Sequence, residues 1–154
     1  MMAKQRSNFK VHVLFRSTSS VLTEVWVRRQ LRNLYSALIS KVPKHFREIS
    51  VLITNDREIR KLNKQYRKKD KATDVLSFPG NSPALPMSSL GDLVISLDTA
   101  KRQALEYGVP LKSEVLRLLI HGFLHLLGYD HERVPKKEAL RMQRLEERLM
   151  MVLS

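Results

Sequence analysis

The sequence contains no cysteine, so disulfide bonds and thiolate metal sites are excluded, as in proteins of reducing compartments. It has no apolar run near the roughly 20 residues that cross a bilayer. Its N-terminus, MMAKQRSNFK, lacks the apolar core of a secretory signal. We therefore expect a cytoplasmic protein without a membrane partner. An organellar location is expected only if the short basic N-terminus is a targeting segment.

Acidic residues are scarce as well. The chain of 154 residues has 28 Lys and Arg against 15 Asp and Glu, which gives a net charge of +13. A large charge of one sign favours a polyanionic partner, either nucleic acid or an acidic membrane surface. An ordinary solvated surface is the alternative that charge alone leaves open.

The order of periodic segments predicts the fold. Apolar alternation and helical spacing follow each other as strand, helix, strand, helix, strand, strand and then helices, without a linker, repeat or low-complexity segment. We predict a single domain over residues 1–154 of the α+β class, with a mixed β-sheet packed against helices. The helix expected from Ser113 through Leu127 is apolar nearly all round, so it should be central and buried, and it carries metal-binding histidines.

Residues at the segment ends predict where helices begin and end. Thr23, Asn55 and Asp98 are expected N-caps, and Asn55 is followed by Glu58 in a capping-box pattern. A polar loop with prolines is expected over residues 81–89. The last helix should begin near Pro135 and present four residues to the core: Met142, Leu145, Leu149 and Val152.

Three of the five histidines fall within the segment HGFLHLLGYDH, residues 121–131. His121 and His125 are one helical turn apart, so their imidazoles project from the same face. Gly128 can adopt a left-handed conformation that ends the helix, and the chain then turns so that His131 reaches the same ion. Three neutral imidazoles with an open fourth position are typical of a catalytic zinc site. His12 and His45 are interpreted as ordinary core or surface residues.

The spacing of these histidines is that of the metzincin proteases, in which a glutamate after the first histidine is the general base. Here that position is Gly122. Glycine inside a helix costs about 1 kcal/mol relative to alanine, so we expect that a neighbouring group needs the space or that a close backbone approach requires it. The missing acid argues against a protease.

Cations are concentrated between Arg57 and Lys71, where eight of them surround Tyr66. Cations next to an aromatic ring can contact phosphates and stack on a base. A solvated helix face is the alternative, and we favour it for Arg57, Arg60 and Lys61 individually. The loop after this helix holds better ligand candidates. The candidate substrate-binding residues are Tyr66, Lys68, Lys69 and Lys71.

Three motifs together resemble the YbeY family of bacterial and organellar endoribonucleases that act in rRNA maturation. They are YRKKDKATDVLSFP at 66–79, GDLVIS at 91–96 and HGFLHLLGYDH at 121–131. They occur in the family's order, and the resemblance covers residues 48 to about 150.

The resemblance implies a zinc-dependent, single-strand-specific endoribonuclease of small-subunit rRNA 3′-end maturation and ribosome quality control. One Zn²⁺ per chain would be held by His121, His125 and His131, and Arg67 would be the catalytic arginine of the substrate cleft. The implied partners are single-stranded RNA, the rRNA of the small subunit and ribosomal proteins.

The mechanism leaves the proton acceptor open. Arg67 is expected to pair with the scissile phosphate through its planar fork. Asp130 and Glu132 flank the last histidine, and either could be the base or a partner that orients a metal ligand. The attacking group could instead be the 2′-hydroxyl of the substrate.

Two other functions remain open at this point. One is a metal-dependent hydrolase of another substrate, including an atypical protease. The other is a ribosome-assembly factor whose zinc is mainly structural.

Overall fold

A mixed four-stranded sheet organises the computed structural model, which describes residues 8–80 and 87–154. The strands lie in the order β1-β2-β4-β3. Strands β1 and β2 and strands β2 and β4 pair in parallel, whereas β3 pairs antiparallel with β4 and forms an edge. Their bounds are β1 Lys10–Phe15, β2 Glu48–Thr54, β3 Val75–Pro79 and β4 Ser89–Ser96.

Five α-helices accompany the sheet in the described part of the chain. They are α1 Glu24–Ala37, α2 Asp56–Arg67, α3 Leu97–Tyr107, α4 Leu111–Leu126 and α5 Lys136–Leu153, with a 3₁₀ turn at Ile39–Lys41. The predicted order of elements and the α+β class are confirmed. Among the residues described, no helix combines the length and apolar character needed to traverse a bilayer.

The two faces of the sheet are covered unequally. On one face, alternate strand residues such as Val51 and Leu93 join a large apolar core with residues of α1, α4 and α5. On the other face, α2 packs through Ile59 against Leu76 and Val94 in a much smaller cluster. The larger core therefore fixes α4, whereas α2 covers only part of the second face.

Helix α4 lies very close to the sheet. A Cβ atom on Gly122 would lie 2.7 Å from Leu93 Cδ2 and 3.3 Å from Ser77 Oγ. A Cβ atom would fit only if the buried Leu93 side chain moved, so the sheet uses the space that glycine leaves. A glutamate at this position would be directed at Leu93 and Ser77 of the sheet, so the packing disfavours the metzincin base.

Two of the predicted N-caps are confirmed. Thr23 Oγ1 accepts a hydrogen bond from the Trp26 amide at 3.1 Å, and Asn55 Oδ1 accepts one from the Glu58 amide at 2.9 Å. Both bonds satisfy an amide that the first helical turn would otherwise leave unpaired.

Two predicted helix starts are wrong. Ser96, not Asp98, caps α3, because β4 runs directly into that helix and the Ser96 hydroxyl accepts from the Thr99 amide at 3.3 Å. Helix α4 begins at Leu111, two residues before Ser113, since Pro110 suits the position ahead of a first turn.

The predictions for one loop and for the final turn also change. Ser89 belongs to β4 and not to the expected loop, and residues 81–86 lie outside the described part of the chain. Met142, Leu145 and Leu149 are buried as expected, but Val152 is 68% exposed, because in the last turn of α5 it is Leu153 that packs against the core.

Candidate metal centre

Three imidazoles converge at the end of α4. His121, His125 and His131 each offer a ring nitrogen, and these nitrogens all lie within 4.8 Å of one another. The Nε2 atoms of His121 and His125 are 3.1 Å apart. A tetrahedral zinc ion with Zn–N bonds of about 2.0–2.1 Å places two ligand atoms roughly 3.3 Å apart. The three-nitrogen donor set fits one zinc ion, and the spacing of His121 and His125 is close to the tetrahedral value.

The third histidine comes from the loop after the helix. Helix α4 ends at Leu126, and Gly128 takes a φ of +95°, which an L side chain rarely adopts. The Tyr129 amide donates to the Leu124 carbonyl at 3.0 Å, which fixes the turn. His131 is exposed, whereas the two histidines on the helix are half-buried, so one side of the cluster is accessible from solvent.

A carboxylate that the sequence reasoning missed orients the first imidazole. Glu146 of α5 accepts a hydrogen bond from His121 Nδ1 at 2.7 Å. This bond places the ring proton on Nδ1 and leaves the Nε2 lone pair directed toward His125. Helical spacing could have placed Glu146 on the inner face of α5, because it lies four residues after Met142 and three before Leu149, both of which are buried.

The electrostatics of the cluster favour the neutral form of the His125 imidazole. Burial lowers the pKa of His125, and the neighbouring His121 and His131 lower it further. The charges of Asp130 and Glu146 act in the opposite direction but do not outweigh these effects. The neutral imidazole is the form that binds a metal ion.

The two acids next to His131 have different contacts. Asp130 Oδ1 accepts hydrogen bonds from the backbone amides of His131 at 2.7 Å and Glu132 at 2.9 Å. The Glu132 amide is the main reason that the pKa of the Asp130 carboxyl lies below its usual value. Asp130 therefore stabilises the turn through these two amides. Glu132 Oε1, in contrast, lies 3.6 Å from His131 Nε2. Their assignment as base or orienting partner stays a prediction.

Arg67 lies beside the edge strand β3, next to α4, the helix that carries His121 and His125. Its Nη2 donates to the Ser77 carbonyl at 2.7 Å, and its guanidinium carbon lies 5.8 Å from the Phe78 ring centroid. On the other side of the same strand, Ser77 Oγ contacts the Gly122 carbonyl at 3.4 Å. Strand β3 therefore connects Arg67 to the residue that follows His121. The catalytic role of Arg67 stays a prediction.

The candidate substrate-binding residues lie on the exposed end of α2 and the loop that follows. Tyr66 lies edge-on to Phe78 with ring centroids 5.4 Å apart. Lys68 ends α2 in a left-handed conformation with φ of 58°, which turns the chain toward Lys69 and Lys71. Arg60, in contrast, donates to Asp70 at 2.8 Å, so part of its charge is already paired. The ligand roles of the lysines stay predictions.

Comparison with known proteins identifies relatives over most of the chain. A family model described as Endoribonuclease YbeY matches residues 14–154. A protein named Endoribonuclease YbeY from Geobacter metallireducens is 42% identical over 127 residues, which cover 80% of this chain and 85% of the relative. The solution structure of TM1509 from Thermotoga maritima shares the fold, with a TM-score of 0.54, 29% identity and coverage of 92% of this chain and 89% of that one.

Two further relatives of the same name are more similar but match shorter segments. The protein from Myxococcus xanthus is 58% identical over 108 residues, or 67% of this chain, and that from Aquifex aeolicus is 60% identical over 91 residues, or 59%. The aligned segments span 35% and 61% of these two relatives, which is less than two thirds of their length.

Proposed function

The chain belongs to the YbeY endoribonuclease family, and on that premise we propose that it is a zinc-dependent endoribonuclease acting on single-stranded RNA. The observation that carries this proposal is the cluster of three imidazoles within 4.8 Å of one another. Within the described residues this cluster contains no fourth protein ligand, which leaves room for water or substrate, as in catalytic zinc sites.

The residues around the cluster have separate tasks in this proposal. When bound, zinc supplies a Lewis acid that polarises a phosphoryl oxygen and acidifies water. Glu146 holds the His121 ring in position through Nδ1. Arg67 directs the part of its guanidinium that does not contact Ser77 toward the scissile phosphate, where it offsets developing negative charge.

The geometry favours Glu132 over Asp130 as a proton acceptor. The amides of His131 and Glu132 occupy an oxygen of Asp130 and stabilise its charged form, which makes this carboxylate a weaker base. Glu132 is exposed, and its Oε1 lies 3.6 Å from His131 Nε2, on the solvent side of the cluster. The 2′-hydroxyl of the substrate is the alternative nucleophile, and its proton would go to the same carboxylate.

For the biological substrate we propose small-subunit rRNA, cut during 3′-end maturation and ribosome quality control in the bacterial cytoplasm. Family membership and the net charge of +13 support this proposal, because the phosphate backbone supplies most of the affinity of RNA-binding proteins. Ribosomal proteins are proposed as further partners.

A substrate comparison tests the proposed activity. The purified protein is incubated with single-stranded RNA, double-stranded RNA and casein, each with and without a chelator, and its zinc content is measured. We expect cleavage of single-stranded RNA alone, sensitive to the chelator. A parallel preparation of His125→Ala serves as the control for contaminating nucleases.

Other outcomes identify the alternative functions. Chelator-sensitive cleavage of casein without cleavage of RNA would replace the proposal with a protease. RNA binding without cleavage, together with unfolding on chelation, would indicate an assembly factor with structural zinc.

A further inference from the structure

A cavity of about 670 Å³ lies on the sheet face opposite α4. Its walls come from β1, β2, β3 and β4 and from one side of α2, and most of its lining surface is apolar. This volume is within the range of about 300–1,000 Å³ found for pockets that bind small ligands. None of the three histidines lines it.

One row of polar residues crosses the floor of this cavity. His12 pairs in register with Ser50, Ser50 with Asp92, and Asp92 with Phe78. Residues paired in register share a sheet face, so an imidazole, a hydroxyl, a carboxylate and an aromatic ring lie side by side. The adjacent row is apolar and contains Leu14, Leu52, Val94 and Leu76.

Asp92 is the unusual member of the row. Burial raises the pKa of its carboxyl, and a hydrogen bond from the Ser50 hydroxyl offsets only part of that effect. A carboxylate can accept about four hydrogen bonds, so Asp92 has capacity for further donors. Pocket ligands are usually oriented by a small number of such polar groups within apolar walls.

Aromatic rings and cations border the cavity. Phe78 and Tyr66 line its wall, and Tyr66 is 62% exposed. The opposite side of α2 carries a second cavity. It is lined by cations that include Arg57 and Lys61 and by two acids, Asp56 and Asp70, which already pair with other cations. A single RNA strand crossing α2 could therefore place phosphates on the cations and one base against the aromatic rings.

We propose that this cavity is a guanine-binding site, which selects a base outside the cleaved bond of a single-stranded RNA. The proposal rests on the proposed function, because it assumes an RNA substrate. Guanine presents two adjacent donors, N1–H and the 2-amino group, which one carboxylate accepts together, as in other recognition of Watson–Crick edges. Adenine lacks this pair of donors, and uracil offers a single N–H on that edge.

The position of the cavity explains how one RNA strand could reach both the cavity and Arg67 beside the metal cluster. Side chains alternate along β3, so Phe78 faces the cavity while Ser77 faces α4. Arg67 lies at this same edge, bonded to the Ser77 carbonyl. RNA passing over the edge of β3 would place one base in the cavity and a neighbouring phosphate near Arg67.

Heptanucleotides of uridine with one central guanosine, inosine or adenosine test the proposal. All carry the same charge, so phosphate contacts contribute equally, and inosine lacks only the 2-amino group. The strands carry 2′-O-methyl groups, electrophoresis checks that they stay intact, and fluorescence anisotropy measures binding to the zinc-loaded protein. We expect the guanosine strand to bind about tenfold more tightly than the other two. Equal binding of all three strands would overturn the proposal.

A matched pair of variants locates the preference. Asp92→Asn should reduce it to less than about twofold, because the amide replaces a charged acceptor, whereas Glu106→Gln, an exposed acid on α3, should keep it. Retention of the preference in a folded Asp92→Asn protein would contradict the proposal.

Photocrosslinking of a strand with a central 6-thioguanosine needs no variant. Adducts on peptides that contain His12, Ser50 or Tyr66 are expected, and adducts confined to peptides of 121–131 would overturn the proposal.

Cleavage of unmodified strands separates this proposal from the proposed function. Zinc-dependent cleavage without a guanine preference would refute the guanine-binding site and leave the proposed nuclease activity standing. A guanine preference without cleavage would refute the nuclease activity and leave the guanine-binding site standing.

Discussion

The metal cluster and the cationic segment, residues 57–71, differ in how deeply their helices are buried. Helix α4, which carries His121 and His125, is buried along most of its length. Helix α2, which ends at Arg67, has only Ile59 and Asn63 buried among its residues. A metal site needs donors held to within a fraction of an ångström, which packing and hydrogen bonds provide. A polyanion can be bound by exposed cations whose exact positions matter less.

Strand β3 is where these two regions meet. The Ser77 carbonyl accepts from Arg67, and the Ser77 hydroxyl contacts the Gly122 carbonyl. Arg67 is therefore the one cation of the segment that we expect to be positioned as firmly as the histidines. Substitutions in the rigid region should have the largest effects, which fall on the reaction, and those on the exposed surface should have the smallest, which fall on binding.

The largest effect is expected from the loss of His125, the second of the three histidine ligands. His125→Ala removes one of three donors, so zinc retention should be lost and cleavage should fall by more than the roughly 100-fold that losing a partner of a metal ligand can cost. Metal analysis and RNase assays check this. His45→Ala is the control, because His45 lies outside the cluster. Full zinc content in His125→Ala would contradict the ligand assignment.

Arg67→Ala should lower cleavage by roughly a hundredfold while zinc content and fold persist, because it removes charge stabilisation at the phosphate and leaves the donors in place. Single-turnover rates with metal analysis measure this. Arg32→Ala, which removes an exposed arginine of α1, should change the rate little. Unchanged turnover in Arg67→Ala would refute its catalytic role.

Glu146→Gln should weaken zinc affinity by roughly 10- to 100-fold, as losses of partners that orient metal ligands do. Competition with a chromophoric chelator measures the affinity. Glu147→Gln changes the neighbouring carboxylate, which lies near Gln143 instead of a histidine, and should leave affinity intact. Equal affinities of the two variants would contradict the orienting role of Glu146.

Gly122→Ala should destabilise the fold by up to about 2 kcal/mol, because displacing the buried Leu93 side chain costs about 1–3 kcal/mol and the helix propensity of alanine returns about 1 kcal/mol. Urea denaturation measures this change. Combining it with Leu93→Ala, which removes the colliding atom, should cost less than the sum of the two single changes. Strict additivity would show that the contact is not limiting.

The smallest effect is expected from the loop. Lys69→Ala should weaken RNA binding only a few fold and reduce the slope of log affinity against log salt by about 0.7, the value for one phosphate contact on a single strand. Anisotropy titrations at several salt concentrations measure both, with Lys101→Ala on α3 as the control. An unchanged slope in Lys69→Ala would remove this lysine from the binding surface.

The fold class and the histidine cluster could be predicted because they depend on local spacing. Apolar alternation indicated the strands, and the separation of His121 and His125 by one turn placed them on one face. The left-handed φ of Gly128 followed from its place after the helix.

Contacts between distant segments could not be predicted in this way. The bond from His121 to Glu146 joins residues 25 positions apart and depends on how α5 packs against α4. The bond from Arg67 to the Ser77 carbonyl depends on β3 being an edge strand, and a single sequence does not give strand order. The cap at Ser96 was missed because the direct passage from β4 to α3 leaves no loop to recognise.

Reconstitution with zinc tests the central claim most directly. The protein is stripped with a chelator, titrated with Zn²⁺ and assayed on single-stranded RNA at each step. The three-histidine site predicts that cleavage returns in proportion to bound zinc and saturates at one ion per chain, while circular dichroism shows the fold retained throughout. Full cleavage by folded, zinc-free protein would contradict it.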